Sequence, residues 1–257
     1  MPTLSSFQYD LVYNLMSLTV AAMGAAALFF FMSPGVDRKF KPALVVSGLV
    51  VSIACYHYFR ILGSFSAAYT AEAGQYVASK VAFNDFYRYA DWLLTVPLLM
   101  VELVAVLALA KAQSSSLLKR LAIAATLMIA LGYPGEAAIS TGNSTAVWAW
   151  FGASMVPFLY ILVTLFGALS TATASQPPHV QSLIKLARGV VLVTWSFYPL
   201  AYILGALGNS SGTGEMAIQV GYTVADITAK AGFGLVIYAI ARAKSTESVD
   251  VGHSAAA

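Results

Sequence analysis

Charge is what this chain has least of. Only 10% of its 257 residues are Asp, Glu, Lys or Arg, against about 25% in a soluble domain. A soluble monomer of this size could not cover its surface with so few. There is one cysteine, Cys55, which excludes an internal disulfide and any cysteine-based metal cluster. The formal net charge is +3, with the basic residues gathered at segment ends, so no electrostatic footprint for nucleic acid is present. No Gly-X-Y period exists, which excludes a collagen-like chain. What abounds is apolar: 59% of residues are hydrophobic and the mean hydropathy is +0.76. That excludes intrinsic disorder and leaves a polytopic membrane protein. Met1–Asp10 carries no basic n-region and no small-residue cleavage site, so no cleaved signal peptide is expected.

A helix needs about 20 apolar residues to cross a bilayer core of roughly 30 Å. Seven stretches qualify, at 9–32, 42–63, 84–109, 117–138, 145–170, 180–207 and 216–243. Pro177 and Pro178, after the polar Ser175 and Gln176, end the fifth. No residues remain for a soluble domain. The expectation is a single all-α domain over residues 1–257, a seven-helix bundle with a short hairpin in 64–84 around Gly74. Residues 245–257 are expected to form a disordered tail. Basic residues set the orientation. Arg38, Lys39, Lys41, Lys111, Lys119, Arg120, Lys185, Arg188, Arg242 and Lys244 fall on one side, and Lys80 on the other. The N-terminus is therefore expected outside and the C-terminus in the cytoplasm.

Ionisable groups inside a bilayer are costly and mark functional positions. Here they are His57 on the second span, Arg88, Asp91 and Glu102 on the third, and Asp226 and Lys230 on the seventh. Asp91 and Glu102 are eleven residues apart. Eleven steps of about 100° return to nearly the same helix face, roughly 16 Å along the axis. Thr95 lies one turn from Asp91 on that face. Arg88, Asp91, Thr95 and Glu102 thus form a file of proton-capable groups from the outer side inward. Asp226 and Lys230 share a face as i,i+4 neighbours. His57 and Asp91 lie at similar depths and meet if their helices are adjacent. Each feature also has a plainer reading. Lys230 with Asp226, or Asp91 with Arg88, can be a structural ion pair. His57 can be a satisfied core histidine.

Together these groups permit a specific chemistry. Burial disfavours the charged form of an amine, and a neutral amine can condense with an aldehyde to a Schiff base. A protonated Schiff base is a buried cation and needs a carboxylate partner, which Asp226 and Asp91 supply, with Arg88 balancing the pair. Moving its proton to Asp91 cancels two charges. Glu102 can resupply a proton if it stays neutral at rest, as an apolar site favours. Such a file works in one direction only if the Schiff base changes its access, which a chromophore that isomerises in light would provide. Trp92, Trp195, Tyr198 and Tyr202, with Pro199 between the last two, recur at helical spacing and suit a large flat ligand. An aromatic stripe of this kind also serves as ordinary core.

The run Arg88-Tyr89-Ala90-Asp91-Trp92-Leu93-Leu94-Thr95-Val96-Pro97 resembles the third-helix signature of the microbial (type I) rhodopsins. Trp195-x-x-Tyr198-Pro199-x-x-Tyr202 is similar to their sixth-helix pocket, and Asp226-x-x-x-Lys230 to their seventh-helix retinal attachment site. Tyr56-His57-Tyr58-Phe59-Arg60 and Gly132-Tyr133-Pro134-Gly135-Glu136 look most like the bacterial proton-pump branch of xanthorhodopsin and proteorhodopsin. The resemblance implies a light-driven outward proton pump, an ion transporter rather than an enzyme. It implies all-trans retinal on Lys230, Asp91 as proton acceptor, Glu102 as cytoplasmic donor, Asp226 as second counterion and His57 hydrogen-bonded to Asp91. Met128, Gly132, Ser154 and Phe158 would line the pocket. Leu99 sits where relatives with leucine tend to absorb green light. The implied setting is the bacterial inner membrane, as a homo-oligomer, with pentamers and trimers both known among relatives.

Two departures stand out. The paired outer glutamates that release protons early in bacteriorhodopsin have no match. Only Glu215 lies in the last outer connection, and Ile218 occupies a position where a carboxylate would be wanted. Carotenoid-binding relatives open a window to the retinal ring with a glycine on the fifth helix. Alignment through Ser154-x-x-Pro157-Phe158 places Phe151 there, with Gly152 beside it, which argues against a carotenoid antenna. Rival functions on this fold are a sensory photoreceptor and a light-driven pump of another ion. Asp91 argues against chloride, because a carboxylate there repels an anion. A seven-helix transporter or receptor without retinal is a third.

Overall fold

The computed structural model describes residues 1–84, 86–107, 111–174, 176–208 and 211–254. Its helices are α1 (Ser6–Met32), α2 (Lys41–Ala67), α3 (Phe86–Leu107), α4 (Lys111–Thr141), α5 (Ser144–Ala174), α6 (Pro178–Ala206), α7 (Gly212–Ile227) and α8 (Phe233–Ser254). A π-helical turn, Thr228–Gly232, joins α7 to α8 with helical backbone angles on either side, so the two form one rod. That gives seven helices long and apolar enough to cross a membrane, the last being Gly212–Thr246. A bilayer core cannot satisfy loose backbone polar groups, so helices close their own hydrogen bonds. Pro97, Pro134, Pro157 and Pro199 lie inside helices, as spanning helices tolerate when neighbours cover the freed carbonyls.

Consecutive helices pack side by side, and α7 returns to α1, closing a ring. Burial is uneven around it. The third and seventh spans bury 61% and 56% of their apolar window, the fifth only 17%. The spans that carry most of the ionisable residues are therefore the interior ones, and α5 is largely turned outward.

Between α2 and α3 lies the expected hairpin, β2 (Tyr69–Glu72) paired antiparallel with β3 (Gln75–Ala78). Its two-residue turn, Ala73 and Gly74, has positive φ at both positions (47° and 81°), the geometry whose twist matches paired strands. The sequence reading missed a third strand, β1 (Leu4–Ser5), which adds to the outer edge of β3. Ser5 then caps α1 reciprocally with Gln8, so this helix starts at residue 6 rather than 9. Tyr9 stacks on Tyr76 at 3.7 Å, and the sheet closes over a small apolar cluster that includes Leu4, Ile61, Phe65 and Tyr69. At the opposite end the chain after Lys244 also differs from expectation. α8 continues to Ser254, helped by Ser245, which donates to the Ala241 carbonyl and accepts from the Asp37 backbone. Residues 255–257 of the expected tail lie outside the described residues.

Gly212 fixes where α7 begins. A Cβ there would strike the Thr3 carbonyl and lie 3.1 Å from the Gln8 amide oxygen, whereas one on Gly63 would meet open space. Gly212→Ala is expected to cost about 1–3 kcal/mol, as overpacking does, and to lower the midpoint of thermal helix loss in detergent. Gly63→Ala should not lower it.

Candidate functional site

At the centre of the bundle three charged side chains from two spans meet. Lys230 Nζ lies 2.5 Å from Asp91 Oδ2 and 3.0 Å from Asp226 Oδ1, and all three residues are at most 2% exposed. The i,i+4 spacing supplies the Asp226 contact, and the packing of the third span against the seventh supplies Asp91. The π turn is centred on Lys230. Such single-turn irregularities occur mostly at functional sites, and nothing in the sequence announced this one.

The two carboxylates are held differently. Asp226 accepts from Tyr58 at 2.7 Å and from Tyr198 at 2.6 Å. Asp91 Oδ1 has no hydrogen-bond partner among the described residues. His57 Nδ1 stands 3.7 Å from that oxygen but 3.0 Å from the Ile53 carbonyl on its own helix. His57 and Asp91 are thus brought together at ion-pair distance, beyond a hydrogen bond. Thr95 is fully buried, and its hydroxyl donates to the Asp91 backbone carbonyl, so it braces the helix rather than extending the carboxylate file.

Arg88, one turn before Asp91, is buried beneath Tyr222, with its guanidinium 4.6 Å from the ring centre. It donates to the side-chain oxygen of Gln219. Glu102 lies further along α3, 0% exposed, with neither oxygen hydrogen-bonded among the described residues. Ser47 on α2 is the polar side chain beside it. Along α3 between Asp91 and Glu102, Leu99 and Met100 are buried apolar side chains.

A cavity opens from Lys230 between α3, α4, α5 and α6. Trp92, Met128, Gly132, Ser154, Phe158, Trp195, Tyr198, Pro199 and Tyr202 all line it with Lys230. Sequence reasoning missed Tyr89, Val96, Ile129, Met155, Tyr222 and Ala229 as wall residues. Leu99 is a wall residue too. At Gly132 a Cβ would touch Tyr89 at 3.6 Å and Ser154 at 3.8 Å, so glycine keeps this wall thin. Phe151 is part of the wall and stacks on Tyr202 at 5.1 Å, while Gly152 is exposed beside open space. The walls are flat and apolar, and Lys230 supplies a primary amine at one end. That donor set fits an extended conjugated aldehyde such as retinal.

Residues 11–244 match the family described as bacteriorhodopsin-like protein. The chain belongs to that family. It is 34% identical over 233 residues to the green-light absorbing proteorhodopsin of Gamma-proteobacterium EBAC31A08, covering 90% of this chain and 86% of that one. It is 31% identical over 229 residues to the bacteriorhodopsin of Halobacterium salinarum, covering 86% and 80%. Among solved structures, thermophilic rhodopsin superposes with a TM-score of 0.92 at 45% identity, covering 96% of this chain and 99% of that one. Xanthorhodopsin, described as a light-driven ion pump with dual chromophore, superposes at 0.91 and 46% identity, covering 96% and 98%. The chain is thus a microbial rhodopsin of the bacterial type, and its fold is the seven-helix rhodopsin fold.

Removing one member of a buried ion set leaves the others uncompensated, at about 3–5 kcal/mol. Lys230→Met in the retinal-free protein is expected to destabilise by that amount in thermal unfolding. The double variant Lys230→Met, Asp91→Asn, which leaves Arg88 to balance Asp226, should recover most of it.

Proposed function

We propose that this rhodopsin is a light-driven outward proton pump carrying all-trans retinal on Lys230. The observation that carries the reading is the Lys230 nitrogen held between two carboxylates at the end of an aromatic cavity. When bound, retinal supplies absorption of visible light and an isomerisation that changes which side the lysine nitrogen faces. The chain's own residues supply the rest. Trp92, Trp195, Tyr198 and Pro199 confine the chromophore, and the apolar walls exclude water.

Asp91 is the acceptor. Its Oδ2 is 2.5 Å from the nitrogen, so a proton crosses with little heavy-atom motion. Its Oδ1 is open to His57 rather than tied down. Asp226 remains the fixed counterion, because two phenols already donate to it. Arg88 balances the second negative charge. Glu102 is the donor. A fully buried carboxyl is far cheaper to keep as the neutral acid, and so it holds a proton in reserve. Leu99 in the cavity wall accords with green absorption. With the Phe151 ring in the wall, the reading includes no carotenoid antenna. It places the chain in a bacterial inner membrane, N-terminus outside, as a pentamer or trimer.

The test is light-induced pH change in a suspension of cells expressing the protein with all-trans retinal. Outside acidification abolished by a protonophore is expected. A coloured protein with no signal would point instead to a photoreceptor, and alkalinisation enhanced by protonophore to transport of another ion. Lys230→Ala should give no covalent pigment. Asp91→Asn should shift absorption to the red and stop acidification, since the resting counterion is lost. Glu102→Gln should slow recovery of the resting colour after a flash by about a hundredfold, the lower end for loss of a positioned proton donor, with azide restoring it.

A further inference from the structure

Resting on the proton-pump reading above, we propose that Glu215 is the carboxylate through which the proton leaves, joined through Gln219 to Arg88, which stands one turn from Asp91 on α3. The three side chains form a continuous chain of hydrogen bonds. Arg88, 2% exposed, donates to Gln219 Oε1, and Gln219 Nε2 donates to Glu215 Oε1 at 2.9 Å. Gln219 is itself 4% exposed. A guanidinium only donates and a carboxylate only accepts. A primary amide is the neutral group that offers one face to each, and it cannot turn over without losing both bonds.

Position along α7 points the same way. Glu215, Gln219, Tyr222, Asp226 and Lys230 follow one another at spacings of three or four and share one face. Glu215 precedes Asp226 by eleven residues, as Glu102 follows Asp91 by eleven. The third and seventh spans cross in the same direction, so the two glutamates lie on opposite sides of the centre, each roughly 16 Å from an aspartate. Glu215 is only partly buried, in the first turn of α7 at the hairpin end.

A second observation comes from the hairpin. Tyr69 is 6% exposed, and its hydroxyl has no hydrogen-bond partner among the described residues. Burial pushes its phenol above the ordinary value, and the neighbouring negative charge of Glu215 pushes it further. Glu215 therefore lies within electrostatic reach of a buried phenol of the sheet. The step balances simply. An O–H bond forms on the Glu215 carboxylate as the proton arrives, and breaks as the proton passes to water outside. No other bond changes.

The retinal-loaded protein is flashed while a pH-indicator dye reports protons in the medium and infrared difference spectra report carboxyl groups. In the wild type a protonated-carboxyl band is expected to rise and decay as the dye responds. Glu215→Gln should lose that band and delay proton appearance, relative to the visible colour change, by about a hundredfold. Glu215→Asp should restore both. Gln219→Leu, which keeps the carboxylate but cuts its tie, should show the same delay. Glu72→Gln, an exposed acid on the same hairpin, should change nothing. Wild-type timing and an unchanged infrared difference in Glu215→Gln overturn the exit role while leaving the pump reading intact. A wild type that releases no proton at all overturns both.

Discussion

In the middle of an apolar bundle a lysine ammonium lies within 3.0 Å of each of two carboxylates, and none of the three residues is more than 2% exposed. No single one of them could be buried alone. Counting Arg88, two cations face two anions, so the formal charges of the buried centre cancel. That cancellation constrains the architecture around it. The third and seventh spans must be neighbours, because Asp91 and Lys230 come one from each. α2 must face both, because Tyr58 reaches Asp226 and His57 reaches Asp91. α6 must lie close enough for Tyr198 to donate to Asp226. The π turn at Lys230 belongs to the same constraint, since it sets where the amine emerges relative to Asp226 one turn earlier.

The two ends of the bundle are finished differently. At the hairpin end a three-stranded sheet covers an apolar cluster and the start of α7, and Gly212 lets the N-terminal strand approach that start closely. At the other end, Lys244 reaches the Val106 carbonyl and lies over the Phe40 ring, so α8 is fastened to the end of α3. The cavity wall between the ends is set by ring faces: Trp92 meets Tyr198 edge-on at 5.0 Å, and Phe151 stacks on Tyr202. A wall of interlocked rings has few alternative packings, which suits a ligand whose shape change must be felt by the protein.

Hydropathy alone located all seven spans, because lipid demands long apolar helices and little else imitates them. Helical spacing also put Asp226 beside Lys230, a contact local in sequence. The pairing of Lys230 with Asp91 was inferred from chemistry, since a buried cation needs carboxylate partners, and the resemblance to a family agreed with it. Pairings across the fold were less legible. Tyr58 stood inside a quoted motif without a role, and Gln219 was an unremarked polar residue in an apolar span. Its bond to Arg88 crosses from α7 to α3, whereas its bond to Glu215 is an i,i+4 contact within α7. β1 escaped because two residues carry no periodicity, although Ser5 and Gln8 held the signature of a capping box. Thr95 shows the opposite error. Its place on the right face was read as part of a relay, but a threonine within a helix readily returns its hydroxyl to the preceding turn, and this one does.

The unequal halves of the membrane path bear on direction. On the hairpin side of Asp91 the groups are polar and joined: buried Arg88 and Gln219, then partly buried Glu215. On the Glu102 side, Leu99, Met100 and Leu103 are at most 3% exposed, and Glu102 makes no hydrogen bond among the described residues. In the proposed pump the resting state is therefore open to proton movement toward one surface and closed toward the other. A proton placed on Asp91 has Arg88 and its polar partners one turn away, whereas one held on Glu102 has buried Leu99 and Met100 between it and the centre along α3. The donor half can conduct only when that packing loosens, late in a cycle, and closing it again resets the path. Direction then follows from which half is polar at rest, and the lysine nitrogen has only to change the half it faces.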